Sequence, residues 1–387
     1  MTILFITPSF PSRLHRIRSW QLIETLARHH TVHLLSLAFE PVRVENLIQL
    51  EKLCKSITII KKSKWQGVFD VLIRIGQQIP FEVSYCHSRK MQEILQKLVA
   101  MHSIDLVYIK RLRSAQFVEE TKVPVVLDST DAMSLFYKRA SKAVSLFKKP
   151  LYVHEWHTYR KYEPTMAQKF KNWIVCSPID ADYLKEQLPS DVAVSVISNG
   201  VDTEYFTPVT SSPEPDTLLV SGLFTKFVNI EAARYFVRDV FPLLRTARPE
   251  LMLYLVGPAS ATVRKLAGPN VIVTGEVPDL RHYVARASVI CVPVLTGAGT
   301  RNKILQAWSI GRPVVSTPQG LEGLAGKDER DLLVATTPQD FAEKILRLLT
   351  DAVLYQRLVA NGQKIIISTY AMMVINQSLE RLLKRSL

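Results

Sequence analysis

Cysteine is scarce in this chain. Four residues in 387, at Cys54, Cys86, Cys176 and Cys291, show no C-x-x-C spacing. That scatter argues against a disulfide framework and a structural zinc site, and points to free thiols in a reducing compartment. No apolar run approaches the roughly 18–20 residues that cross a bilayer. The sequence opens directly into Ile3-Leu4-Phe5-Ile6, with no basic n-region and no cleavage site, so neither a spanning helix nor a secretory leader is expected. Internal repeats and low-complexity tracts are missing too. So are helix-turn-helix, zinc-finger and RNA-binding signatures, which sets nucleic acid aside as a partner. Acidic residues are outnumbered, 35 against 49 Lys and Arg, for a net charge of +14. The excess is uneven: residues 1–200 hold 28 Lys and Arg against 18 Asp and Glu. A basic N-terminal half predicts an anionic partner, such as phospholipid or a phosphorylated substrate. A cytoplasmic location, peripheral at the inner face of the plasma membrane, is the matching expectation.

What is present is a regular alternation. With 47% hydrophobic residues over 387 positions, the chain is long enough for two domains with substantial cores. Short β-rich runs (3–7, 31–37, 57–60, 106–109, 123–128, 173–177, 194–197) alternate with helical stretches near 17–28, 88–101, 151–169 and 179–188. A turn sequence, Ser198-Asn199-Gly200-Val201-Asp202, and a Pro-, Ser- and Thr-rich stretch from Pro208 to Pro215 interrupt the pattern. The alternation then restarts with strands near 218–221, 252–256, 271–274, 289–293 and 332–334. Its helices fall near 230–246, 280–287 and 338–349. This pattern predicts an α/β protein of two doubly wound, Rossmann-like parallel-sheet domains, residues 1–198 and 199–370, with the C-terminal helix at 371–387 packing back onto the first. Ligands of such sheets sit beyond the carboxyl ends of the strands, which predicts a site in a cleft between the domains.

One stretch carries explicit chemistry. Gly297-Ala298-Gly299-Thr300-Arg301-Asn302-Lys303 follows a predicted strand and opens a helix, and Gly311-Arg312-Pro313-Val314-Val315-Ser316-Thr317-Pro318 ends it. Gly297 and Gly299 let backbone N–H groups approach an anion. The helix start attracts negative charge, and Arg301 and Lys303 add two full cations. Cations at a helix start oppose its dipole, so an ordinary solvated helix start explains them less well than a phosphate or pyrophosphate ligand does.

At these residues the chain resembles the retaining glycosyltransferases of family four, with the GT-B architecture of two facing Rossmann-like domains and an interdomain cleft. Ile3 to Pro8 with Phe10-Pro11, then Arg16-Ile17-Arg18-Ser19, resembles the family's opening strand and acceptor-side loop. Ser198 to Asp202 with Phe206-Thr207-Pro208 resembles its hinge. Val256-Gly257 and Thr274-Gly275-Glu276-Val277-Pro278-Asp279 resemble donor-domain strands, and Gly297 to Pro318 resembles the donor-binding motif. Within the family the likeness is to sugar transferases of bacterial exopolysaccharide clusters. The resemblance implies transfer of a sugar from a nucleotide-diphosphate sugar to a glycan or lipid-linked acceptor with retention. It also implies no bound metal and no cofactor beyond the co-substrate, because helix ends and basic side chains neutralise the leaving diphosphate.

The expected donor-binding residues are Gly222, Gly257, Val277, Gly297, Gly299, Thr300, Arg301, Lys303 and Gln306. The family motif carries two glutamates, the second on the donor ribose; here Ala298 and Gln306 take those places. Glutamine still hydrogen-bonds a hydroxyl but without the charge-assisted part. Asp128 and Asp131 follow a predicted strand and are the expected catalytic pair, orienting the acceptor or acting as base. Their D-S-T-D order departs from a metal-binding D-x-D, Thr130 takes the place where relatives carry a histidine, and a helix cap is the competing role for Asp131. Arg13, Arg16 and Arg18 are the expected acceptor-side cations for a phosphorylated or lipid-pyrophosphate acceptor, with a solvated charge run as the alternative. His154 and His157 lie three apart, without a third metal ligand in spacing. Lys61-Lys62-Ser63-Lys64-Trp65 and the stretch from Lys138 to Lys149 mix cations with large apolar residues, a composition suited to an anionic membrane surface. Two other readings stay open: a nucleotide-sugar-binding assembly subunit that no longer catalyses, and a GT-B nucleotide-sugar epimerase.

Overall fold

The computed structural model describes residues 1–12, 17–118, 121–209, 212–296 and 302–386. The chain forms two compact units, one of Met1–Ile197 with Asn376–Leu387, the other of Ser198–Ile375.

The first unit holds a seven-stranded parallel sheet: β1 (Thr2–Thr7), β2 (Thr31–Ala38), β3 (Ser56–Lys61), β4 (Leu106–Lys110), β5 (Val125–Thr130), β6 (Asn172–Val175) and β7 (Ala193–Val196), in the order β3-β2-β1-β4-β5-β6-β7. The second holds a six-stranded parallel sheet: β8 (Thr217–Ser221), β9 (Met252–Val256), β10 (Val271–Gly275), β11 (Val289–Val292), β12 (Val314–Ser316) and β13 (Leu333–Val334), in the order β10-β9-β8-β11-β12-β13. Parallel strands need crossover connections, and helices supply them. Both units are doubly wound, and this is the GT-B fold. The order reverses between β1 and β4 in the first sheet, and between β8 and β11 in the second.

The central strands are near-continuous apolar runs because helices cover both faces. In β8 and β11, Leu218, Val220, Val289 and Cys291 face one core cluster, while Leu219, Ile290 and Val292 face another. That alternation is the two-residue side-chain period of a strand. In the first unit Leu4, Ile6, Val107, Ile109 and Leu127 share one core. On the opposite face Phe5 stacks on Tyr108, with ring centroids 5.1 Å apart, because the two residues are in register on β1 and β4.

The structure departs from the expected elements in several places. The long helix predicted near 230–246 is interrupted by a π turn at Phe236–Val240 before it resumes at Phe241–Ala247; Pro242 lacks an N–H and sits at the start of the resumed helix. The short helices Val44–Glu51, Lys64–Arg74 and Phe81–Cys86 were not expected. The final helix, Met372–Arg385, places Asn376 Oδ1 2.6 Å from Thr25 Oγ1 and Glu380 Oε1 3.0 Å from His30 Nε2, both within the first unit. All four cysteines are buried and free. Among the described residues, no helix is long and apolar enough to cross a membrane.

Candidate active site

In the first unit the carboxyl ends of β4 and β5 carry a buried ion cluster. Register places Lys110 beside Asp128 on the neighbouring strand, and Tyr108, two residues earlier, faces the same side. The Lys110 ammonium donates to Asp128 Oδ1 at 2.9 Å and Tyr108 donates to Oδ2 at 2.9 Å. Arg18, from the helix Ile17–Ala27 that follows β1, donates to Oδ2 through Nη2 at 3.0 Å and Nε at 3.2 Å. Thr130 donates to Oδ1 at 3.2 Å and also receives a short hydrogen bond from Lys110. Both strand ends finish in the left-handed region, Arg111 at φ 70° and Thr130 at φ 75°, and the pairing of β5 with β6 shifts register between Asp128 and Thr130. For a non-glycine residue this conformation costs about 1–2 kcal/mol, so surrounding bonds must hold it. The Arg111 N–H donates to Asp128 O at 2.7 Å and the Cys176 N–H to Thr130 O at 2.8 Å.

The charges follow from this geometry. Burial alone would raise the Asp128 carboxyl; the Arg18 and Lys110 cations overcome that and hold it well below the usual carboxylate range. Burial pulls the Lys110 ammonium down to about 8 against the opposing pull of Asp128. Burial also lowers Arg18, but Asp128 outweighs it and the guanidinium ends above its ordinary value. Tyr108 is pushed well up by burial.

This corrects two expectations. Asp128 is fully buried, and its two oxygens, with about four lone-pair sites, already meet donors from Lys110, Thr130, Tyr108 and Arg18. Both oxygens are therefore occupied inside the protein, which leaves no room to take a proton from a substrate. Arg18 likewise points its guanidinium at Asp128, with its side chain only 11% exposed, instead of presenting it to an acceptor. Arg13 and Arg16 lie outside the described residues. Asp131 is partly exposed and pairs with Arg111 Nη1 at 2.9 Å. It does not cap the next helix, Met133–Ala143, whose first turn has no local side-chain cap. Instead Asp180 Oδ1 accepts from the Ala132 N–H at 3.0 Å and Glu163 Oε1 from the Ser134 N–H at 3.1 Å. Burial raises Glu163 to about 7 and Asp180 to about 6. Lys110, Tyr108, Glu163 and Asp180 were not singled out in the sequence. A lysine closing the apolar run Leu106-Val107-Tyr108-Ile109 was the one available signal.

In the second unit the switch between β8 and β11 is where a ligand of an open α/β sheet binds. Lys303 stands in the first turn of the helix Asn302–Ile310, which follows β11. Its ammonium donates to Ser221 O at 2.7 Å, at the carboxyl end of β8, and to Asn229 Oδ1 at 3.2 Å. Gly222 comes next: a Cβ there would lie 3.3 Å from Lys303 Nζ and 3.1 Å from Asn229. Gly257, just past β9, adopts φ +134°, and a Cβ would fall 2.1 Å from Gly222 O. No other residue fits. Val277, past β10, is partly buried against the core beneath this edge. Gln306, one turn after Lys303, is half-buried. Gly222, Gly257 and Lys303 therefore come together, while Gly297, Ala298, Gly299, Thr300 and Arg301 lie outside the described residues. Trp308 is fully buried against Gly362, which fixes this helix on the unit. His154 stacks on Phe81 and His157 on Trp156, at 5.0 and 4.6 Å between centroids. Among the described residues, no three His, Cys, Asp or Glu side chains gather as a metal site.

The fold is that of a GT-B α/β protein, with Lys303, Gly222 and Gly257 gathered at the switch point of its second sheet. Residues 215–351 match the family model described as glycosyl transferases group 1. Solved structures extend the likeness to the whole chain. A sucrose-phosphate synthase from Thermosynechococcus elongatus superposes with a TM-score of 0.73 at 17% identity, covering 100% of this chain and 98% of that one. Anabaena HepE in complex with UDP superposes with a TM-score of 0.69 at 16% identity, covering 100% of both chains. WaaG, a glycosyltransferase involved in lipopolysaccharide biosynthesis, gives 0.66 at 14% identity over 98% of this chain and 99% of that one.

Proposed function

We propose that this chain is a retaining, metal-independent glycosyltransferase that moves a sugar from a nucleotide-diphosphate sugar to a glycan or lipid-linked acceptor in cell-surface polysaccharide synthesis. The observation that carries the reading is the Lys303 ammonium held 2.7 Å from Ser221 O at the carboxyl end of β8, inside the stretch that matches glycosyl transferases group 1.

In this reaction the bond between the sugar C1 and the β-phosphate oxygen breaks and the diphosphate leaves with the electron pair. A new bond forms between C1 and the acceptor oxygen, on the same face, as the acceptor hydroxyl's proton passes to the departing diphosphate oxygen. Stabilising the charge that develops on the diphosphate is the principal task. Lys303, with Arg301 beside it in sequence, supplies cations for it, and the backbone past β8, opened by Gly222, allows close approach. Gln306 sits one turn further along, where a donor hydroxyl would accept or donate a hydrogen bond. Asp128 acts at a distance, by fixing the ends of β4 and β5, and Asp131 is the carboxylate left to meet an acceptor hydroxyl. The complexes of HepE with UDP and with UDP-glucose support trying uridine donors first.

Calorimetry of the purified chain against UDP-, GDP- and ADP-sugars and their free diphosphates tests the donor half. Selective binding that weakens about 10- to 100-fold in Lys303→Met, the usual cost of losing a charged hydrogen bond, is expected. Equal binding by the variant would remove Lys303 from the site. The anomeric proton signal of the transfer product reads out retention. A second reading, a nucleotide-sugar-binding assembly subunit without turnover, is favoured by Gln306 standing where the family carries glutamate. Donor binding with neither transfer nor hydrolysis would select it.

A further inference from the structure

We propose that the helix Lys64–Arg74 seats this chain on an anionic membrane surface, its apolar face entering the headgroup layer. The inference is independent of the sugar-transfer reading. Trp65, Val68, Phe69, Leu72 and Ile73 are all exposed, Trp65 by 80%. At 3.6 residues per turn they share one arc of about 140°. Soluble helices turn such a face inward.

The outward orientation is held in place from the other side. Ser63 and Gln66 form a reciprocal capping box at the helix start. Gly67 and Asp70 lie on the opposite face. A Cβ at Gly67 would come within 2.5 Å of the Tyr85 ring, so the helix backbone lies flat on that ring. The buried Lys62 ammonium donates to Asp70 Oδ2 at 2.6 Å and to Tyr85 O at 2.8 Å. Rolling the apolar face inward would break these bonds and strand a buried cation.

The flanking charge identifies the occupant. Residues 61–75 contain Lys61, Lys62, Lys64 and Arg74 against the single acid Asp70; Lys61 and Lys64 are exposed at the helix start, Lys64 with Glu40 2.8 Å from its ammonium, so the surface there keeps an excess of positive charge. A second copy of this chain would bring the same cations against themselves, whereas an anionic bilayer neutralises them and takes up the apolar arc. Trp and Phe beside Lys is the composition of an interfacial helix. The same unit carries a second feature of this kind: Leu146 and Phe147 are exposed by 82% and 98%, next to exposed Lys142, Lys148 and Lys149.

Flotation of the full chain with vesicles tests the proposal, using phosphatidylcholine alone and phosphatidylcholine with an equal part of phosphatidylglycerol. Binding to the anionic vesicles only, weakened by salt, is expected, with a blue shift of tryptophan emission that is lost in Trp65→Phe. Phe69→Ser with Leu72→Ser removes two exposed side chains, so it should keep the native melting temperature and lose vesicle binding at least tenfold. Lys61→Gln with Lys64→Gln leaves the apolar face intact and should lower binding about fivefold per cation removed. Absence of flotation by the native chain would overturn the proposal, and so would flotation unchanged in both double variants. A concentration-dependent dimer abolished by Phe69→Ser with Leu72→Ser would replace the membrane with a second copy as the occupant.

Discussion

Lys110 and Asp128 stand side by side in register on β4 and β5, with the ammonium 2.9 Å from the carboxylate and both side chains at least 98% buried. Taking two charges out of water is costly, and their mutual attraction offsets that only while each keeps its partners. Here the partners are specified by the sheet itself, since parallel neighbours at the same register face the same side. Asp128→Asn leaves both Lys110 and Arg18 without a counter-charge and should destabilise the chain by about 3–5 kcal/mol. Lys110→Met removes one of two cations and should cost less. Chemical denaturation of the two single variants and the double variant gives the coupling directly. Additive effects would mean that the pair contributes no interaction of its own.

The approach of Gly257 to Gly222 yields a sharper contrast within one structure. Gly257→Ala forces a Cβ to 2.1 Å from a backbone oxygen at φ +134°, and backbone cannot step aside as a flexible side chain can. Gly275 also has a positive φ, 75°, but a Cβ there meets nothing within 4 Å. Gly275→Ala should therefore cost about 1–2 kcal/mol, the price of the left-handed conformation alone. Gly257→Ala should cost more than that and lower nucleotide binding, because it displaces the strand end that Lys303 touches. Similar melting temperatures for the two variants would contradict the close packing.

The fold was legible because parallel strands buried on both faces leave long apolar signatures, and most of the thirteen strands coincide with such runs. The unexpected helix Lys64–Arg74 shows why some elements were not. Its residues carry the helical apolar spacing, but that the apolar face meets solvent is a tertiary fact which no local pattern encodes. That Gly222, Gly257 and Lys303 come together was legible in part, because each stands where a strand of the second sheet ends or a helix begins. The role of Asp128 was not. An aspartate after an apolar run reads as a solvent-facing catalytic group. Only the register with Lys110, the reach of Arg18 from more than a hundred residues earlier in the chain, and the Tyr108 hydroxyl reveal that its oxygens are filled. That information is tertiary, and no local spacing encodes it.

Buried carboxyls predict an inverted pH response. Burial raises Glu163 to about 7, and Glu155 to about 7. For an acid raised in the folded state, the native chain binds more protons than the unfolded one between the two pKa values, so stability falls as pH rises through that window. The contribution of Glu163 is fully present below about 4.5 and lost by about 7. Asp128 acts oppositely, being held below its ordinary value, and favours the fold throughout this range. Melting temperature should therefore decline between pH 5 and pH 7.5. Glu163→Gln, which keeps a neutral acceptor for the Ser134 N–H, should flatten the decline by on the order of 2 kcal/mol. A variant as pH-dependent as the native chain would show that Glu163 is not the group responsible.

Gln306 offers the most direct reading of donor chemistry. It lies half-buried, three residues after Lys303 and so on the same side of the helix Asn302–Ile310. If that side meets a nucleotide diphosphate, Gln306 meets the sugar hydroxyls next to it. A neutral amide both donates and accepts, whereas a carboxylate accepts more strongly, by a factor of about two per hydrogen bond. Gln306→Glu should therefore tighten binding of the nucleotide diphosphate about three- to tenfold, the ratio expected for about 0.7–1.4 kcal/mol from one charge-assisted bond in place of a neutral one. Because the gain needs a hydroxyl, it should vanish for inorganic pyrophosphate, which still engages Lys303. Calorimetry with both ligands separates the two contacts. Equal tightening for pyrophosphate would place Gln306 against phosphate. Weakening of both would mean that the added charge repels the diphosphate and that the amide is what this site requires.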